Sequence, residues 1–146
     1  MSVDSGLKIS GQTDWVELLV SSTGRIARMP FLIAGAGLIA ITALYESVAG
    51  TTLHLLTGWF VYPTILFAAA CILSKRLHDR GRSGWWAAPI LIGIIAILPS
   101  PSSFFDFLFG VLVFWATIEL AVMPSEEGAN RFGPNPGHSL AGAAAI

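Results

Sequence analysis

The sequence predicts an all-α polytopic membrane protein, with four transmembrane helices preceded by a short interfacial helix. Three observations predict it. Charged residues make up 12% of the 146-residue chain and hydrophobic ones 54%, about half the usual charge of a soluble domain. The charges are also unevenly placed. Residues 29–74 carry only Glu46, and residues 83–125 carry only Asp106 and Glu119. A spanning helix needs roughly 20 mostly apolar residues, so these two stretches together supply about four. Finally, all eight Lys/Arg lie outside them. This pattern excludes an ordinary soluble domain and a disordered chain. With a net charge of −1, it also excludes a nucleic-acid binder.

Each element has a local reason. Residues 1–12 are rich in Ser and Gly and read as a loose tail. Thr13 or Asp14 can cap a short helix running to about Ser21. In it Trp15, Leu18 and Leu19 share a face at i, i+3, i+4. That face suits packing on the rest of the protein, or lying on the membrane with Trp15 at headgroup depth. The first span is expected at about Met29 to Ser47, with Pro30 in the first turn, where a missing N–H does least harm. This run lacks a convincing cleavage site and is expected to stay as a helix. The small residues Ala34–Gly37, Ala40 and Ala43 would let another helix approach closely.

A mildly polar connection, 48–56, leads to a second span at about Thr57 to Arg76. Trp59 and Tyr62 stand near its start as interfacial aromatics, and Pro63 is placed in its first two turns. The densest polar segment follows, Lys75-Arg76-Leu77-His78-Asp79-Arg80-Gly81-Arg82-Ser83-Gly84. Ser83 can cap a third helix from Trp85 to about Pro99, the shortest of the four. Residues 99–103 read as a turn. The fourth helix runs from about Phe104 to Met123, with Asp106 in its first turn. From Pro124 the chain is polar and turn-rich, and residues 138–146 read as a disordered tail. One membrane domain, 13–137, is expected between the two tails.

Parity then sets the topology. Lys8, Arg25 and Arg28 precede helix one. Lys75, Arg76, Arg80 and Arg82 lie between helices two and three, and Arg131 follows helix four. Four spans put all of these on one side. The positive-inside rule makes that side, with both termini, the cytoplasm.

Three segments carry a resemblance. They are Gly24-Arg25-Ile26-Ala27-Arg28; Lys75-Arg76-Leu77-His78-Asp79 with Arg82-Ser83-Gly84-Trp85-Trp86; and Gly128-Ala129-Asn130-Arg131-Phe132-Gly133-Pro134-Asn135-Pro136. In order, and separated by apolar helices, they resemble the motifs of domain of unknown function 805, over about residues 13–137. Two departures are Lys75, where that family often has Arg, and Pro30 with Leu32, where it often has a carboxylate and a Trp. The resemblance implies a small bacterial inner-membrane protein. It implies no activity, substrate or cofactor.

With this topology the three segments converge into a cytoplasmic cap. Its candidate residues are Arg25, Arg28, Lys75, Arg76, His78, Asp79, Arg82, Asn130 and Arg131. Arg80 lies among them, and Glu126 and Glu127 are further acidic partners. Arg76 and Asp79 are three apart and can pair on one helical turn. Such a cap can serve orientation and tertiary tethering, or bind anionic lipid headgroups, a membrane-protein partner or a second copy of the chain. Each Lys/Arg near an anionic leaflet is worth about 1 kcal/mol.

Glu119 is the one acid well inside an apolar run, about 6 Å from its cytoplasmic end. Pairing with Arg28 or Arg76 is expected there; a proton- or ion-coupled role is the sharper alternative. The histidines His54, His78 and His138 are far apart, and no His-x-x-x-His or Cys-x-x-Cys spacing occurs, so no metal or cofactor is expected. Cys71, the sole cysteine, reads as packing. Binding without catalysis is therefore the leading reading. The alternatives are a membrane enzyme acting on a lipid with His78 and Asp79 as acid and base, and a small transporter subunit.

Overall fold

A computed structural model describes residues 14–97 and 103–136. The two tails and the 98–102 connection read from the sequence lie outside the described residues. Helix α1 spans Trp15–Val20, and Asp14 caps it, accepting from the Val16 and Glu17 N–H groups at 3.0 and 3.1 Å. Its Leu18 is buried, and the helix packs on α3. Helices α2 (Arg28–Val48) and α3 (Thr51–Asp79) form a hairpin broken only at Ala49 and Gly50. A 3₁₀ turn, Gly84–Trp86, capped by Ser83, leads into α4 (Ala87–Ile97). Helix α5 (Phe104–Thr117) begins with a capping box between Ser103 and Asp106 and continues as a π-helical turn, Ile118–Val122. Among the described residues no strand occurs beyond one isolated bridge, Asn130 with Gly133.

Three helices are long and apolar enough to cross a membrane: Arg28–Val48, Thr51–Asp79 and Phe104–Val122. At 1.5 Å per residue they measure roughly 31, 43 and 28 Å against a hydrocarbon core of about 30 Å. The expected third span appears as a shorter apolar helix, Gly84–Ile97, about 21 Å long. The spans expose their apolar side chains, Leu55 to 79% for example. Water would penalise that surface, whereas lipid does not.

Helix α3 departs most from the sequence reading. It starts six residues earlier, absorbing the polar connection, so Pro63 sits deep inside the helix and not in its first two turns. Proline there removes one intrahelical N–H donor. Nearby threonines bond back to the preceding turn, Thr64 Oγ1 to the Phe60 carbonyl at 2.7 Å, as is common in apolar helices. The helix starts early because the connection forms its own polar cluster. His54 Nδ1 lies 2.9 Å from the Ala49 carbonyl oxygen, Tyr45 Oη lies 2.9 Å from Thr57 Oγ1, and Glu46 meets both Tyr62 and His54. Of the small residues expected to admit a close helix, Ala34 is buried in one cluster with Ile72 of α3, but the glycines beside it are not used. Gly35 and Gly37 face open space, whereas a Cβ on Gly93 would stand 3.1 Å from Val113 on α5.

The two buried clusters sit where α2 begins and α3 ends. Leu77, Ala87, Ile90, Ala116 and Leu120 form one, and Leu18, Ile26, Ala34 and Ile72 the other, with Phe31 packed against both. Most of the buried apolar residues thus lie at one end of the protein.

Candidate functional site

The packed end gathers all seven Lys/Arg of the described residues. It is built from the last turn of α3. There Arg76 and Asp79, three residues apart, are both fully buried. Asp79 Oδ2 accepts from Arg76 Nη1, and Oδ1 accepts from Arg25 Nε at 3.1 Å. One carboxylate is therefore clamped by two guanidiniums from different segments. Burying charge costs several kcal/mol per ion unless partners satisfy it. Two cations facing one anion leave a positive excess, and the backbone answers it.

Arg76 also donates to the Leu120 carbonyl at 2.8 Å, the Met123 carbonyl at 2.6 Å, the Ile26 carbonyl at 3.4 Å and Ser125 Oγ at 3.3 Å. Arg28 donates to the Val122 carbonyl at 3.1 Å, and Arg80 to the Pro124 carbonyl at 2.6 Å. The Leu120, Val122 and Met123 carbonyls end the last helix, where the final turn lacks intrahelical donors and carries the negative end of the dipole. The π-helical turn, closed by Met123 N–H on the Ile118 carbonyl, brings them onto Arg76. Arginine suits this role because its planar fork reaches several acceptors at once.

Arg25 performs the same task for the tail. It donates to the carbonyls of Glu126 (2.8 Å), Gly128 (2.8 Å) and Gly133 (3.2 Å). Asn130 Nδ2 donates to the His78 carbonyl at 2.9 Å and to Glu126 Oε2 at 2.8 Å, while its Oδ1 accepts from Phe132 N–H. The His78 ring stacks on Phe132, centroids 3.9 Å apart and 9° from parallel, and its Nδ1 lies 3.1 Å from the Gly24 carbonyl oxygen. Arg131 lies over the same Phe132, 4.6 Å from its centroid. Lys75 Nζ donates to the Glu17 carbonyl at 2.9 Å, tying α1 to α3. Gly81, at φ +67°, turns the chain just past the α3 cap. The Glu126 carboxylate fills the space a side chain there would take, so the glycine serves both the turn and the contact.

Glu119 pairs with Arg80 and Arg82, at 3.2 and 3.4 Å, and not with Arg28 or Arg76 as the sequence suggested. Arg76 is consumed by Asp79 and the helix carbonyls, and Arg28 by Val122. Arg82 in turn sits 5.1 Å over the Trp115 ring. Glu119 is buried while Arg80 and Arg82 are partly exposed, so Glu119→Gln is expected to cost about 1–3 kcal/mol, between the ranges for exposed and buried pairs. Thermal unfolding in mild detergent measures it; a loss several-fold larger would mean that the carboxylate does more than pair.

The cap residues named from the sequence, Arg25, Arg28, Lys75, Arg76, His78, Asp79, Arg82, Asn130 and Arg131, thus share one end of the molecule. Sequence reasoning had not singled out Phe132 as the plate under His78. Nor had it seen that main-chain carbonyls, rather than side chains, receive most of the arginine donors. The aromatic four residues from the last motif's start was visible, but nothing local says what it stacks on. With both oxygens of Asp79 taken, it is not placed to act as a base or to orient His78. Ser83 accepts from Trp85 N–H and forms no triad. Among the described residues no three of His, Cys, Asp and Glu come together as a metal site.

Comparison with known proteins accounts for the pattern. A family model described as protein of unknown function (DUF805) matches residues 19–134. The chain belongs to the DUF805 family. Uncharacterized protein YiiR of Escherichia coli strain K12 is 31% identical over 124 residues, covering 79% of this chain and 85% of its own length. YiiR of Escherichia coli O157:H7 matches with the same figures. No solved structure matches. The DUF805 match starts near the end of α1 and runs past the Asn130–Gly133 turn, so it includes the residues that Arg25, Arg76 and Asp79 tie together but not Glu17, which Lys75 holds.

Proposed function

We propose that this DUF805 protein is a four-span bacterial inner-membrane protein with both termini in the cytoplasm, whose cytoplasmic cap binds anionic lipid headgroups. One observation carries the reading. The cap's cations divide into two sets. Arg25 and Arg76 are buried and hold the fold together, whereas Arg28, Arg82 and Arg131 are exposed at the rim. Beside them stand the exposed Trp85 and Trp86, residues suited to headgroup depth. The inner set makes the cap rigid, and the outer set offers charge to a surface.

Four spans are supported by parity, because α4, if it crosses, leaves every cation of the described residues on one side. Residues 84–97 alone fall short of a full core thickness, and local thinning of the bilayer accommodates such a mismatch. Helix α1, with Trp15, Val16 and Val20 exposed, suits the interface plane. An enzyme using His78 and Asp79 is less well supported, since Asp79 is clamped. A transporter is less well supported because Glu119 is paired.

Two experiments test this. Reporter fusions after residue 146 and at Ala49–Gly50 are expected to score cytoplasmic and external; an external C-terminus overturns four spans. Native mass spectrometry from mild detergent is expected to show preferential retention of phosphatidylglycerol over phosphatidylcholine. Replacing Arg28, Arg82 and Arg131 together with Gln removes three charges worth about 1 kcal/mol each, so that preference falls on the order of 100-fold. An unchanged preference rules out the rim.

A further inference from the structure

Between α3 and α4 lies a groove of about 590 Å³ that the cap contacts do not use. Ala70, Ser74 and His78, at i, i+4, i+8, form one wall on α3, and Ala88 and Leu91 face them from α4. The groove is polar at one end and apolar at the other. Ser22, His78 and Ser83 stand at the cap end, and Ala70, Ala88 and Leu91 lie deeper along the spans. Along α3 the step from His78 to Ala70 is about 12 Å.

The polar end is built rather than incidental. His78 Nδ1 faces a carbonyl oxygen, which only accepts, so Nδ1 carries the ring proton and Nε2 is the nitrogen left for the groove. Phe132 fixes the ring plane from one side. Gly84 keeps Nε2 open, since a Cβ there would stand 2.9 Å from it and 3.1 Å from Ser74 Oγ. Trp85 flanks the mouth, 84% exposed, as an interfacial aromatic would be.

We infer that this groove holds part of one glycerophospholipid, one of its two acyl chains laid against Ala70, Ala88 and Leu91 and its phosphate–glycerol end at Ser22, His78 and Ser83. The volume lies within the roughly 300–1,000 Å³ of small-molecule sites. The serine hydroxyls donate to phosphate or ester oxygens, and the His78 Nε2 lone pair accepts from a headgroup ammonium or hydroxyl. Among the described residues no lysine or arginine lines the groove, so its lipid is selected there by shape and hydrogen bonding, apart from the charged rim.

The probe is phosphatidylethanolamine with a photoreactive diazirine on one acyl chain. The full-length protein is reconstituted with it in phosphatidylcholine vesicles, irradiated, and mapped by proteolysis. Labelling is expected to concentrate on 70–74 and 84–91. Ala88→Phe, at an exposed position, is expected to lower labelling there at least tenfold with the melting temperature kept. The Arg28, Arg82, Arg131 triple variant is expected to keep it, which separates this site from the headgroup rim. Labelling spread over α2, α3 and α5 in proportion to their exposure, or unchanged in folded Ala88→Phe, overturns the groove. Should Ala88→Phe not fold, the wild-type map alone decides.

Discussion

Asp79→Ala is expected to destabilise the protein by about 3–5 kcal/mol, the range for removing one partner of a buried ion pair. Its loss leaves Arg25 and Arg76, almost fully buried at the side chain, facing each other without an anion. Detergent unfolding and the yield of monodisperse protein read the loss. Shape and charge separate in a cycle. Arg25→Met alone also removes the donors to the Glu126, Gly128 and Gly133 carbonyls, so it is costly too. Combined with Asp79→Ala, however, it removes a repelling cation, and the double variant is expected to lose less than the two single losses added together. Strict additivity would mean that Asp79 is not what holds the two guanidiniums.

Arg76→Lys is expected to cost about 2–4 kcal/mol although charge is conserved. The guanidinium serves Asp79 and the carbonyls of Leu120, Met123 and Ile26 at once. An ammonium has three donors on one atom and cannot reach across that spread. At least two carbonyls lose their partner, at roughly 1–3 kcal/mol each when buried. The damage is expected at the end of α5, so amide exchange of residues 118–123 rises before global unfolding. A lysine variant with wild-type stability and protection would overturn the capping role.

Much of the fold was legible because lipid demands long apolar runs and tolerates charge only at their ends. Asp14, as one of two candidates, and Ser83 were readable as caps because capping is local chemistry, whereas Asp106 was readable only as a first-turn acid and Ser103, which caps α5, only as part of a turn. The start of α3 was not readable. Glu46, Tyr62 and His54 look like a polar interruption in sequence, yet across the hairpin they satisfy one another and let the helix begin at Thr51. The partner of Glu119 was not readable either. Pairing depth alone allowed Arg28 or Arg76, but both were already engaged by carbonyls and Asp79.

The sequence by itself determined that apolar helices carry this protein and that its cations gather at one end, since hydropathy and charge are properties of each segment. Only the tertiary structure decided what those cations do. Whether an arginine faces a lipid, a carboxylate or the orphan carbonyls of a helix end depends on which backbone lies beside it, and residues 37 to 108 positions apart are brought together only by folding.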